Sequence, residues 1–152
     1  PGDTGEQWRK MLYAALAGSR ERVNAILDQF DRSPGLGMIC PPLVPHYAHC
    51  VNFGGNFARM RALLLQRGVL ITPELSIDFP MGSMFWCRPQ VLSTWIHPKF
   101  CFDDFVPSAD LDVERDGTLA HALERLFFFG CGLSGMSWAR IPALSTQTSF
   151  HQ

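Results

Sequence analysis

Phe79-Pro80-Met81-Gly82-Ser83-Met84-Phe85-Trp86-Cys87-Arg88-Pro89 is the stretch on which the fold turns. Residues 82–87 are rich in aromatics and stop at a proline, so they read as a core strand. Pro89 has a fixed φ and no N–H to satisfy, which suits the first turn of a helix over 90–96. Gly82-Ser83 ahead of two aromatics is equally readable as a tight turn entering that strand.

Upstream, 36–40 is a short apolar run that reads as a buried strand, broken by Pro41-Pro42. Residues 56–66 place Phe57, Met60, Leu63 and Leu64 on one helical face, with Gly68 set to end the turn. Before that come two helices. Trp8, Met11, Leu12, Ala15 and Leu16 recur at helical spacing up to Gly18. Ser19 then caps a helix carrying Val23, Ile26, Leu27 and Phe30, closed by Ser33-Pro34-Gly35. Downstream, Asp116 caps a helix over 117–129 with Leu119, Ala120, Leu123, Leu126 and Phe127 on its buried side. From Gly132 no period is legible. The order αα-β-α-β-α-α predicts an α/β layer fold, a small mixed sheet flanked by helices. The whole reads as a single domain over 1–152: a helical lead-in over 1–35, an α/β core over 36–130 and a tail over 131–152.

Composition narrows the function classes. The chain has 152 residues, 47% hydrophobic and 18% charged, with 12 Phe and 4 Trp, enough apolar surface for one core. Thirteen basic residues against fourteen acidic ones leave a net charge of −1, which argues against an electrostatic nucleic-acid binder. No apolar run approaches the roughly 20 residues a spanning helix needs. No signal peptide opens the chain, and Pro1-Gly2 without Met reads as the start of a fragment or trimmed protein. Cys40, Cys50, Cys87, Cys101 and Cys131 form an odd set without a C-x-x-C pair, as expected of reduced, buried thiols in the cytoplasm.

Chemistry concentrates in the 116–125 helix. His121, Glu124 and Arg125 are spaced i, i+3, i+4 and share one face, set off from the leucine stripe. Asp116 at the N-cap would place a carboxylate beside backbone N–H groups that favour its charged form, as a base accepting a hydroxyl proton requires. The plainer alternative is a cap, an ordinary local ion pair and a structural histidine, and spacing alone does not choose between them. His46-x-x-His49-Cys50 with Cys40 contains zinc-ligand types, but the spacing matches no common site and no metal is assigned. Phe100, Phe102 and Phe105 around Asp103-Asp104 read as a half-buried strand or a sugar-stacking platform, with core packing favoured.

Together Phe79-Pro80-x-Gly82-Ser83-Met84-Phe85-Trp86-x-Arg88-Pro89 and Asp116-Gly117-Thr118-Leu119-Ala120-His121-Ala122-Leu123-Glu124-Arg125 resemble the rhamnan synthesis protein F family of bacterial surface-polysaccharide assembly. Leu36-Gly37-Met38-Ile39-Cys40-Pro41 and the helix around Asn56 fit the same pattern, so the resemblance spans roughly residues 6 to 130. It implies a glycosyltransferase-like protein of rhamnan or O-antigen-type lipopolysaccharide synthesis, with a partial GT-A-like fold corresponding to the acceptor-side half. Gly82, Ser83 and Trp86 would then line the sugar pocket, with Arg88 at its edge. Asp116 would be the base that lets an acceptor hydroxyl attack a nucleotide-sugar, with Asp112 or Glu114 able to take its place. His121 and Glu124 join it as catalytic candidates, and Glu124 and Arg125, further along the helix, would support the pocket, with Arg125 on the substrate-binding side.

The partners so implied are a nucleotide-sugar, a glycan acceptor and the polysaccharide machinery at the inner face of the cytoplasmic membrane. A homo-oligomer covering an incomplete sheet edge is a further expectation. A divalent cation, Mn²⁺ or Mg²⁺, would accompany the donor. Yet the only Asp-x-Asp string, Asp110-Leu111-Asp112, comes too late in the chain and reads as an exposed acidic loop, and no glycine-rich phosphate cradle precedes the first helix. The donor half is therefore expected outside this chain or lost. That leaves two readings: the acceptor half of a transferase, or a non-catalytic carbohydrate-binding or assembly module. A purely structural domain is the third.

Overall fold

The computed structural model describes residues 4–96, 100–105 and 116–141. They form a mixed α/β fold of five α-helices and three short strands. Helices α1 (Thr4–Ala17) and α2 (Arg20–Arg32) meet at Ser19, whose side chain accepts from the Arg22 N–H and so satisfies an orphan donor of α2. Strand β1 (Leu36–Cys40) follows, and every one of its residues is buried. Helix α3 (Phe57–Leu65) ends where Gly68 takes a positive φ of 73°. Strand β2 (Trp86–Cys87) leads into α4 (Pro89–Ile96), then come α5 (Leu119–Leu133) and β3 (Ser137–Arg140).

β1 is the central strand, pairing antiparallel with β2 (Met38 opposite Cys87, Ile39 opposite Trp86) and parallel with β3 (Leu36 opposite Ser137, Cys40 opposite Arg140). A strand covered on both faces reads as an unbroken apolar run, and that is what 36–40 is. Ile39 packs with Leu16, Ile26 and Ile141; Met38 and Cys40 pack with Val91, Phe128 and Cys131. The register breaks between Leu36 and Met38, and Leu36 accordingly joins the Ile39 side. A third cluster, Met60, Leu63, Leu64, Ile71, Trp95, Leu119, Ala122 and Leu126, holds α3, α4 and α5 together.

Four expectations change. Only Trp86 and Cys87 of the 82–87 stretch are strand; Met81–Ser83 is a single 3-10 turn with Gly82 at φ 78° and Ser83 at φ 52°. The turn alternative therefore holds, and the extended portion is as short as its two pairings with β1. Asp116 does not cap α5. Thr118 does, its hydroxyl accepting from the His121 N–H, while the Asp116 carboxylate is held by the side chains of Asn56 and Arg125 instead of by the first N–H groups of the helix. α5 also runs on to Leu133, since Phe128 and Cys131 are buried against β1. The unperiodic tail contains β3, whose Ser-Trp-Ala-Arg string has no strand pattern of its own and is extended by pairing with β1.

The phenylalanine segment is likewise no strand. Phe102–Phe105 is a 3-10 turn with Phe102 83% exposed, while Phe100 packs against the α3–α5 core. The five thiols are unpaired, but only Cys40 and Cys131 are buried and Cys101 is exposed. Burial pushes the Cys40 thiol up to about 12 and that of Cys131 to about 11. Asp110, Asp112 and Glu114 lie outside the described residues. No described helix is long and apolar enough to cross a membrane.

Candidate functional site

The start of α5 brings together residues far apart in sequence. Arg125 sits one turn and a half into that helix and is buried, its side chain only 8% exposed. A buried guanidinium must have its donors met. Its Nε donates to the Asn52 carbonyl at 2.8 Å, Nη1 to the His121 carbonyl at 3.0 Å and Nη2 to Asp116 Oδ2 at 2.8 Å. Its plane also lies over the Phe79 ring, 4.9 Å from the centroid. Asp116 Oδ1 accepts from Asn56 Nδ2 at 2.6 Å, and Asn56 itself is fully buried. Both oxygens of Asp116 are thus already engaged.

The loop 52–56, Asn52-Phe53-Gly54-Gly55-Asn56, is shaped for this contact. Asn52 Oδ1 accepts from the Gly54 N–H at 2.7 Å, and Gly54 adopts φ 52°. A Cβ on Gly54 would come within 1.6 Å of Asp116 Oδ2. Only glycine lets the backbone approach the carboxylate so closely.

An open cleft of about 430 Å³ lies beside this cluster. His121, Glu124 and Arg125 line it from α5, Asp116 from just ahead of that helix, Gly82 from the turn, Phe79 from the segment before the turn, and Trp8 from α1. The Glu124 Oε1 accepts from the Gly82 N–H at 2.7 Å, and its Oε2 lies 3.9 Å from Arg125 Nη1. Burial raises its carboxyl above the ordinary range, opposed by the Gly82 N–H and by the charges of Arg125 and His121. Arg125 therefore lies between two carboxylates of different character. Asp116 is locked in a pair; Glu124 is half-buried, with raised proton affinity, in the open cleft. His121 Nδ1 lies 2.9 Å from the Thr118 hydroxyl, which fixes the ring at the cleft wall.

The structure thus gathers Asp116, His121, Glu124, Arg125 and Gly82 in one place, as one helix face and one turn should. It leaves out three other candidates. Trp86 turns into the core, packing beside Leu16, Ile26 and Ile39 and donating its Nε1 hydrogen to the Leu16 carbonyl at 3.0 Å. Arg88 donates to the Leu36 and Phe30 carbonyls at 2.9 and 2.7 Å and stacks on Phe30, tying α2 to the sheet. Ser83 is exposed at the turn and does not line the cleft. The His46, His49, Cys50 and Cys40 set is not assembled: Cys40 is buried in β1 with its Sγ toward the Ala139 carbonyl. Among the described residues no three His, Cys, Asp or Glu side chains are placed to hold a metal ion.

Sequence reasoning missed Trp8, Asn52, Gly54 and Asn56. The glycine-rich polar string at 52–56 ahead of a helix was a legible signal for a close-approach loop. Trp8 carried none, because it belongs to the stripe that packs α1.

Comparison with known proteins accords with this picture. The family model of rhamnan synthesis protein F matches residues 2–132. An uncharacterized protein, WxcX, of Xanthomonas campestris pv. campestris strain B100 is 33% identical over 127 residues, 81% of this chain and 17% of that protein. Its counterpart in strain ATCC 33913 matches to the same extent. The chain therefore spans about a sixth of the length of these relatives. No solved structure matches it. With its family model matched over most of its length and the Gly82 turn and Arg125 helix joined in one cleft, this chain belongs to the rhamnan synthesis protein F family.

Proposed function

We propose that this chain is the acceptor-side part of a glycosyltransferase-like protein of rhamnan-type polysaccharide synthesis, and that its cleft holds a sugar hydroxyl against Glu124. The observation that carries this reading is the half-buried Glu124 carboxyl, raised in proton affinity and fixed by the Gly82 N–H in an open polar cleft. A base with raised proton affinity is matched to taking a proton from a hydroxyl as that hydroxyl becomes a nucleophile. The acceptor oxygen would bond to the anomeric carbon of a nucleotide-sugar as the bond to the nucleoside diphosphate breaks. The proton would go to Glu124 and the negative charge to the diphosphate. His121, fixed by Thr118, would orient the acceptor, and the Asp116–Arg125 pair would hold the cleft wall rather than act as base.

The described residues do not fit the divalent cation that a GT-A-like relation implies. Both Asp116 oxygens are engaged, the Arg125 guanidinium stands between Asp116 and Glu124, and among the described residues no three ligand-type side chains come together. The donor side would be supplied by the rest of a longer protein. Such a protein would work in the cytoplasm, at the inner face of the membrane where the polymer is assembled. The second reading, a carbohydrate-binding module without transfer, draws support from the fully engaged Asp116.

Calorimetric titration with rhamnose oligosaccharides, dTDP-rhamnose and UDP, with and without Mn²⁺, tests the proposal. Oligosaccharide binding that Glu124→Gln weakens supports the acceptor-side reading. Loss of transfer in a longer, active family member carrying the same change supports catalysis; full transfer there leaves only the binding module. A folded sample that binds no glycan overturns both.

A further inference from the structure

The five cysteines are not equivalent. Cys40 and Cys131 are buried, and burial raises the half-buried Cys87 as it raises them. Thiols held in that way stay protonated and are poor nucleophiles. Cys101 is exposed, and its neighbour is the Asp104 carboxylate, which accepts from the Cys101 N–H at 2.8 Å. Cys50 alone among the described cysteines has an imidazole at its sulfur: His49 Nε2 lies 3.3 Å from Sγ. Both residues line the cleft that holds Glu124. Asn52 fixes them there. Its side-chain amide donates to the His49 carbonyl at 2.9 Å, its backbone N–H donates to the Cys50 carbonyl at 2.9 Å, and its own carbonyl accepts from Arg125 Nε at 2.8 Å. Thiol and imidazole are thus tied to the buried guanidinium at the start of α5.

We infer that Cys50 and His49 form a thiol-modification site that reacts with low-molecular-weight disulfides of the glutathione disulfide type and carries the resulting cap in the cleft. An imidazole within hydrogen-bond reach of a thiol takes its proton, and the thiolate is the attacking species. The Cys50 sulfur bonds to one sulfur of the disulfide as the bond between its two halves breaks. One half stays on Cys50 as a mixed disulfide; the other leaves as a thiolate and takes the proton back from His49. Cys50 is oxidised and the departing half is reduced, so no further oxidant enters. Excess thiol reverses the step by the same route. At about 430 Å³ the cleft has the room of an ordinary small-molecule site, so the cap has a place to lie. The site does not depend on the carbohydrate reading of the cleft.

The test is incubation of the reduced chain with glutathione disulfide at neutral pH, with adduct formation at each cysteine followed by peptide mass spectrometry. Cys50 should form its adduct about tenfold or more faster than the exposed Cys101, and dithiothreitol should release it. His49→Gln keeps a polar side chain and removes the base. It should slow Cys50 by about tenfold and leave the Cys101 rate unchanged. His49 is exposed, so the fold should tolerate the change; thermal melts check this, and His49→Asn serves if the first variant unfolds. A Cys50 rate no greater than that of Cys101, a rate untouched by the His49 substitutions, or an adduct that dithiothreitol leaves in place overturns the inference.

Discussion

Asp116→Asn is the substitution that separates a structural carboxylate from a catalytic one. In the native protein two donors, Asn56 Nδ2 and Arg125 Nη2, meet two oxygens at 2.6 and 2.8 Å. An asparagine offers one oxygen and turns an NH₂ toward the other donor. If the oxygen serves Arg125, the fully buried Asn56 amide keeps only the Phe53 carbonyl and one of its hydrogens is left without an acceptor, at about 1–3 kcal/mol. If it serves Asn56, a buried guanidinium loses its charged partner. Breaking a buried pair costs about 3–5 kcal/mol. That figure comes down here because Asp116 is 32% exposed and Glu124 stands 3.9 Å from Nη1 as a second anion.

The expected loss is about 2–4 kcal/mol, or roughly 4–16 °C in melting temperature for a domain of this size. Thermal unfolding followed by far-ultraviolet circular dichroism reads it directly. Arg125→Met should cost at least as much, since the Asn52 and His121 carbonyls lose a donor as well. In that background Asp116→Asn should cost far less, giving a coupling on the order of 2 kcal/mol in the double-mutant cycle. An Asp116→Asn protein melting within about 1 °C of wild type, with additive effects in the cycle, would refute the clamp. Asp116 would then be free for chemistry after all.

Three further outcomes follow from the same geometry. Gly54→Ala should destabilise by about 3 kcal/mol or more, read by urea unfolding, because it combines left-handed strain with displacement of Asp116 Oδ2; a near-neutral result would mean the loop does not touch the carboxylate. Because burial raises the Glu124 carboxyl, the folded state holds its proton above the unfolded value of 4.5. Stability should therefore fall as pH rises from 4.5 through the raised folded value, and Glu124→Gln should flatten that part of the stability–pH curve; an unchanged slope would remove Glu124 as its source. Trp86→Phe should cost about 1 kcal/mol through loss of the bond to the Leu16 carbonyl and leave glycan affinity untouched. Weakened glycan binding by a Trp86→Phe protein of native stability would return that residue to the site.

Much of the architecture was local and therefore legible. α2 is bounded by its own signals, with Ser19 before it and Ser33-Pro34-Gly35 after it, and its Ile26 faces the core as the apolar spacing requires. Pro89 opens α4, and β1 reads as buried because it is apolar at both parities of position. The grouping of His121, Glu124 and Arg125 followed from helix geometry alone. The two motifs that carried the family resemblance are the turn and the helix that meet at the Gly82 N–H and Glu124.

What the sequence left open involves partners distant in the chain. Asn56 and Asp116 are 60 residues apart, and nothing at either position announces the other; their bond takes Asp116 out of the cap position that local rules assign it. Trp86 and Arg88 have the residue types of a binding site, yet the Leu16 carbonyl, 70 residues away, and the Leu36 carbonyl, 52 away, claim them for the core. β3 owes its extended backbone to β1 and not to its own four residues. Sequence alone determined where the helices and the central strand lie, because capping, periodicity and turn chemistry act within a few residues, and the 79–89 and 116–125 motifs carried the family resemblance. Only the tertiary structure decided which polar side chains face the cleft, because a buried donor or charge takes whatever partner the packed chain places within about 3 Å.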